Sequence, residues 1–168
     1  IQNLLNIIKS SGLDTNFVGL EFEITEGVLI QNELHGEQVL MRTADLLHKH
    51  NISLAMDDFG VKNSSLERLI ACNFDVIKID MSLVSQLLEN GYAGRSALLV
   101  MRSIISLACD LGVELIVEGV ENRDLYLVLQ KLGCRFFQGY YFFKPLPIHE
   151  VENLILQNQL DQVDKIVA

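Results

Sequence analysis

Acidic residues and one lysine recur where the apolar runs of this sequence stop. Glu23 and Glu26 close "EFEITE", Asp57 and Asp58 follow "ISLAM", and Lys78 and Asp80 lie in "VIKID". Glu118 and Glu121 lie in "IVEGVE", and Gln138 follows "CRFF". Carboxylates taken out of water cost several kcal/mol unless a cation or hydrogen bonds compensate them. If Glu23, Asp57, Asp58 and Glu118 converge, they offer an all-oxygen ligand set. That set suits hard divalent cations such as Mg²⁺ or Mn²⁺ and not zinc, which takes His and Cys. Adjacent aspartates suit a two-metal site, in which one carboxylate bridges the ions while its neighbour reaches the second. Two ions about 3.5–4 Å apart are a recurrent arrangement for phosphodiester hydrolysis. Lys78 could then orient the attacking water or neutralise the phosphate as its charge develops.

Each residue also has a plainer reading. Paired aspartates cap helices, and acids after a strand favour the dipole of the next helix. Lys78 could form an internal salt bridge to Asp80 or a neighbour, and Gln138 before Gly139 could make a capping hydrogen bond. What favours the joint reading is that five separate segments end in the same chemistry.

Hydrophobic periodicity supplies those segments. Strands are expected at 17–24, 52–58, 75–80, 113–120 and 134–142. Helical spacing of Leu40, Ala44 and Leu47 marks a helix over 33–50. A short helix, "SLERLIA", follows the second strand, and a long one over 94–112 closes at Gly112, a plausible C′ glycine. Asn122 could cap "RDLYLVLQKL", which ends before Gly133, and Pro147 sits at the expected first turn of a last helix.

Strand–helix alternation means a parallel sheet, either open and doubly wound or closed as a (β/α)8 barrel. No glycine-rich phosphate fingerprint follows the first strand, which counts against a dinucleotide fold. The polar strand ends favour the barrel, because a barrel gathers the C-terminal ends of all its strands on one face. A complete barrel takes about 250 residues, so a chain of 168 is expected to be a partial barrel of about five βα units. An isolated arc would also leave two parallel edges uncovered.

The formal net charge of −9 argues against electrostatic binding to duplex nucleic acid, though not against an anionic ligand held through metal. Hydrophobic residues make up 49% and charged residues 21%, ordinary proportions for an α/β protein, and no apolar run approaches a membrane span. The opening "IQNLLNIIKSSG" has no basic region or small-residue cleavage site, so it does not read as a signal peptide. Cys72, Cys109 and Cys134 match neither a disulfide framework nor a zinc pattern and are expected as reduced core residues of a cytoplasmic protein. His35, His48, His50 and His149 are expected to be solvated, away from the acidic face. The aromatic run from Phe136 to Phe143 is expected in the core, with Tyr140 and Tyr141 as places where a nucleobase could stack.

"LEFEITE", "AMDDFG…SSL", "VIKID", "IVEGVE" and "LGCRFFQGYYFFKPLP" together resemble the EAL domain, the cyclic-di-GMP-specific phosphodiesterase family. The likeness runs in order over essentially the whole chain, and its motifs are specific. It implies a TIM-barrel-like fold that opens cyclic-di-GMP to linear pGpG with two Mg²⁺ or Mn²⁺ ions, and residues 1–168 as the C-terminal two-thirds of one such domain. By resemblance, Glu23 is a metal ligand and Glu26 braces the loop after the aspartates. Asp57 and Asp58 are paired metal ligands, with Asp57 bridging. Lys78 holds the nucleophilic water. Glu118 is the catalytic glutamate near the second metal, with Glu121 its companion. Gln138, with Gly139 and Tyr140, lies beside water and substrate, and Lys144 and Pro145 belong to the segment closing the barrel end. The resemblance also implies a homodimer, and it leaves open whether a sensor or cyclase domain lies upstream and whether the parent is membrane-tethered.

This sequence departs from the family in two places. The namesake Glu-Ala-Leu strand and an upstream asparagine ligand have no counterpart in it, so one metal is expected to lose two ligands and bind more weakly. The loop usually reading DFGTGYSS is "DFGVKNSS", with Val61, Lys62 and Asn63 in place of threonine, glycine and tyrosine. Lys62 enters a positive φ less readily than glycine, so the loop is expected to take another path. A catalytically degenerate domain that senses cyclic-di-GMP or binds a protein partner is therefore the alternative to an enzyme.

Overall fold

The computed structural model describes residues 2–12, 19–25, 36–60 and 66–156. Five strands form one sheet: β1 (Leu20–Thr25), β2 (Ile52–Phe59), β3 (Val76–Ile79), β4 (Glu114–Val117) and β5 (Phe136–Phe137). Every neighbouring pair is parallel, and the spatial order is β1-β2-β3-β4-β5. A doubly wound sheet reverses its order at a switch point. Here each strand lies beside the next in sequence, as in a barrel, so the order settles the choice between the two architectures. The chain is an α/β fold, a partial TIM-type barrel.

The crossovers bury one stripe each. Helix α1 (Gln2–Ser10) buries Leu5, and α2 (Gly36–His48) buries Leu40, Ala44 and Leu47, the spacing that marked it in the sequence. Helix α3 (Leu66–Ala71) follows β2. After β3 the chain forms α4 (Met81–Ser85), a 3₁₀ turn over Gln86–Leu88, and then α5 (Tyr92–Leu111), the long helix expected over 94–112. Helix α5 buries Gly94, Ala97, Met101, Ile104 and Ala108, at alternating steps of three and four, and ends at Gly112 in the left-handed conformation. Helix α6 (Arg123–Leu132) is capped by Asn122, whose side chain accepts from the Leu125 amide, and stops at Gly133. Helix α7 (Ile148–Leu156) starts directly after Pro147. The expected beginnings of the first strand (17–18), of α2 (33–35) and of "SLERLIA" at Ser65 lie outside the described residues.

Several expectations need correction. Phe136 and Phe143 are exposed, outside the core expected for the aromatic run, and the fourth strand covers Glu114–Val117 and not 113–120. The last strand is two residues long, not nine, because the chain turns at Gly139: Phe142 and Phe143 both donate their amides to the Gly139 carbonyl. His48 is not simply solvated. Its Nε2 lies 2.8 Å from Asp75 Oδ2, which also accepts from the Leu54 amide at 2.7 Å, so one carboxylate ties the end of α2 to the start of β2. Of the cysteines, Cys72 and Cys134 are buried as expected but Cys109 is exposed. Burial pushes the Cys134 thiol up to about 11.

A thiolate-selective reagent applied at about pH 8 should therefore titrate one fast thiol in the native protein, Cys109, and all three after denaturation. Two or more fast equivalents in the native state would contradict the packing of β5 and α3.

Candidate functional site

Lys78 is buried on β3, a strand whose four residues are all buried; the lysine is 6% exposed. Its ammonium cannot be left unpaired there. Lys78 Nζ donates to Glu23 Oε1 of β1 at 2.7 Å and reaches Glu118 Oε1, just past β4, also at 2.7 Å. Asp57 Oδ1 of β2 stands 3.8 Å away. Burial by itself would push the lysine pKa down. The hydrogen bonds to Glu118 and Glu23, with the charges of Glu118 and Asp57, outweigh it and hold the ammonium well above the ordinary lysine range. These contacts favour the ammonium form of Lys78. The internal salt bridge was one of the readings the sequence allowed, but its partners are these three acids and not Asp80, which instead caps α4 by accepting from the Ser82 amide at 2.8 Å.

Strand register brings the acids there. Glu23 pairs with Ala55 and Thr25 with Asp57, so β1 delivers Glu23 one step before β2 delivers Asp57 on the same face. The β2–β3 ladder is irregular at this point. Met56 pairs with Ile77 and Phe59 with Ile79, leaving Asp57 and Asp58 together opposite Lys78. Two residues facing one is a β-bulge, uncommon between parallel strands and frequent beside functional sites. In a regular strand Met56 and Phe59, three apart, would point to opposite faces; the bulge puts both on the face shared with Ile77 and Ile79. Asp58 absorbs the extra residue with φ +58°, a left-handed conformation that aspartate enters more readily than most side chains. Its amide donates to Asp57 Oδ1 at 3.0 Å. Burial, then the charges of Asp57 and Asp80, push the Asp58 carboxyl up. Glu21, also on β1, is pushed up by burial and by Glu23, so negative charge is crowded along this face.

The other expected residues lie further from the lysine. Glu121 is exposed beside the α6 cap and takes no part in the Lys78 ion pairs. Gln138 is exposed, while its backbone is fixed: its amide donates to the Val117 carbonyl, and its carbonyl accepts from Val120. Tyr140 is 58% exposed with Lys144 Nζ 5.7 Å from its ring centroid, and Pro145 is exposed. Tyr141, by contrast, is partly buried and stacks on Tyr126, which makes it core. Glu26 and the 61–65 loop lie outside the described residues. Sequence reading missed the bulge, the His48–Asp75 pair and the Asp80 cap. The bulge had no signal in the apolar pattern, because β2 already buries Leu54, Ala55 and Met56 in succession.

Three carboxylates around one ammonium leave a local surplus of negative charge, and every donor is a hard oxygen. That chemistry fits a divalent cation such as Mg²⁺ or Mn²⁺. The side chains, as arranged, are turned toward Lys78, and among the described residues no group of three or more His, Cys, Asp or Glu side chains is disposed to hold a metal ion.

A singly wound parallel sheet whose strand ends collect acids about a buried lysine defines a barrel-type α/β protein with its polar site at the C-terminal ends of the strands. The chain belongs to the EAL domain family, whose model matches residues 1–145. It is 40% identical over 126 residues to the cyclic di-GMP phosphodiesterase RocR of Pseudomonas aeruginosa, an overlap of 75% of this chain and 30% of that protein. Its fold superposes on the EAL domain of Mycobacterium smegmatis DcpA with a TM-score of 0.78 at 32% identity, covering 93% of this chain and 66% of that one. The EAL enzyme Bd1971, in its cAMP- and cyclic-di-GMP-bound form, gives a TM-score of 0.77 at 30% identity over 92% of this chain and 38% of that one. The chain spans between 16% and 30% of the length of the first three curated relatives it matches. Among the described residues no helix is long and apolar enough to cross a membrane.

Replacing Lys78 with methionine should lower stability by about 1–3 kcal/mol, less than a fully buried pair because Glu23 keeps 46% of its side chain exposed. Because the folded lysine holds its proton more tightly than the unfolded one, whose pKa is 10.5, its contribution is complete below that pH. It is lost as pH rises through the folded value. The stability difference between wild type and Lys78→Met, measured by denaturant titration, should be flat from neutral pH upward and shrink only in strong alkali. A difference that disappears near neutrality would mean that Lys78 is not the paired cation described.

Proposed function

We propose that this chain is the C-terminal two-thirds of one EAL domain and acts as a metal-dependent phosphodiesterase, hydrolysing cyclic-di-GMP to linear pGpG. The observation that carries the reading is the excess of carboxylates over cations around Lys78. The name of RocR and the cyclic-di-GMP bound to Bd1971 support the substrate. Glu23, Asp57, Asp58 and Glu118 would hold the metal, with Glu121 a more distant candidate. Bound divalent ions supply Lewis acidity and a more acidic water for attack on phosphorus.

The residues of the chain do the rest. Lys78 stays protonated and so acts as a fixed positive group, which holds a water or a phosphate oxygen by donation and removes no proton. Glu118, held by the same ammonium, is placed to orient that water. Gln138, Gly139 and Tyr140 project beyond the strand ends, where Tyr140 presents an exposed face for a guanine and Lys144 a charge for phosphate. Glu26 would brace the 61–65 loop, and Pro145 would close the barrel end. Homodimerisation, an upstream sensor or cyclase domain and a cytoplasmic location for the domain complete the proposal.

A second reading, a cyclic-di-GMP sensor or protein-interaction module without turnover, is favoured by the way the acids already satisfy Lys78. The two separate cleanly. With Mn²⁺ the purified chain should convert cyclic-di-GMP to pGpG, EDTA should abolish product, and Asp57→Ala or Glu118→Ala should each reduce turnover by about 10²–10⁴-fold. Normal turnover in either variant would overturn the enzyme assignment, whereas nucleotide binding in EDTA with no product in Mn²⁺ would establish the sensor.

A further inference from the structure

Glu118 is followed by a glycine that nothing about its own chemistry requires. Gly119 has φ +68°, in the left-handed region. A Cβ built on it would lie 2.3 Å from the Cβ of Met81 and 3.1 Å from its Cα. Met81 is no loose side chain here, since the nearest atoms belong to the first residue of α4, directly after the Asp80 cap. Both neighbours of Gly119 are pinned as well. The Glu118 amide donates to the Ile79 carbonyl at 3.0 Å. The Val120 amide donates to Gln138, and the Val120 carbonyl accepts from Tyr141. The Glu118 carboxylate is therefore aimed by a segment clamped between β3 and the turn after β5, with only the thickness of a glycine between it and α4.

We propose that Gly119 is a positioning residue: seated against Met81, its backbone sets where the Glu118 carboxylate meets Lys78. The proposal rests on the acid–lysine site described above and deepens it. A methyl group at 119 has to push the segment away from α4, and the first side chain to move is Glu118. Combining Gly119→Ala with Met81→Gly removes the 2.3 Å contact with the Met81 Cβ but leaves an alanine at φ +68°, so it should return Glu118 part of the way to its place.

The test uses the whole chain as wild type, Gly119→Ala, Met81→Gly and the double variant. Its first readout is the ¹⁵N signal of the Lys78 ammonium, assigned by its loss in Lys78→Met, because a buried, doubly bonded ammonium exchanges slowly with water. The second is kcat and KM for cyclic-di-GMP with Mn²⁺. Gly119→Ala should shift or broaden the ammonium signal. It should lower kcat by about 10–100-fold, with KM little changed, as expected when a reacting group is misplaced by about an ångström. Met81→Gly should show a smaller loss of the same kind, and the double variant should recover part of the signal shift and part of kcat relative to Gly119→Ala, the strain of an alanine at positive φ remaining.

A merely structural glycine would lower the melting temperature and leave the ammonium signal and kcat per folded molecule unchanged, which would overturn the proposal. A double variant no better than Gly119→Ala in either readout would overturn it too. If Gly119→Ala does not fold, Met81→Gly decides, an unchanged ammonium signal refuting the wedge. If the wild-type chain hydrolyses nothing, the proposed function has failed and the ammonium signal alone decides whether Gly119 positions Glu118.

Discussion

The ammonium of Lys78 is the point on which the acidic face is organised. It sits in a strand with no exposed residue, where an unpaired charge would be expensive, and it answers to three carboxylates from three other segments. Those pairs couple β1, β2 and the end of β4 to β3 through one atom. They also leave the face net negative, because one cation cannot neutralise three acids. Structure and proposed chemistry thus have a common origin: the lysine makes burial of the acids tolerable, and the unneutralised remainder is what would draw a divalent ion.

Irregular backbone delivers the charges to that atom. A regular β2 would turn Asp58 onto the face of Met56 and send Phe59 to the face of Asp57. The bulge avoids this by placing two residues opposite Lys78, with Asp58 in the left-handed region. The α4 cap at Asp80 and the seating of Gly119 on Met81 do the corresponding work beyond β3 and β4. The opposite end of the strands has its own tie, in which Asp75 holds both His48 and the Leu54 amide. The stabilising polar contacts and the acidic face are therefore separated along the strands, the usual division of a βα barrel.

The alternation of strands and helices, the Asn122 cap, the Gly112 stop and the chemistry of the strand ends were legible in the sequence by itself, because each depends on residues within a turn or two of one another. The EAL motifs were legible for the same reason, being short and contiguous. The length of β5 was not. "CRFFQGYYF" has the apolar composition of a strand, but the carbonyl of Gly139 collects two amides and turns the chain after Phe137. Solvation of His48 was misjudged because Asp75, its partner, lies 27 residues away.

Only the tertiary structure decided that the acids meet at all, and around what. Glu23 and Lys78 are 55 residues apart, and no local pattern states their distance; strand order and register set it. Strand order also chose the barrel over the doubly wound sheet, which have the same alternation in sequence. Local propensity and periodicity write the elements and the types of side chain at their ends. The pairing of distant strands, and the bulge that shifts their register by one residue, determine which of those side chains share a site.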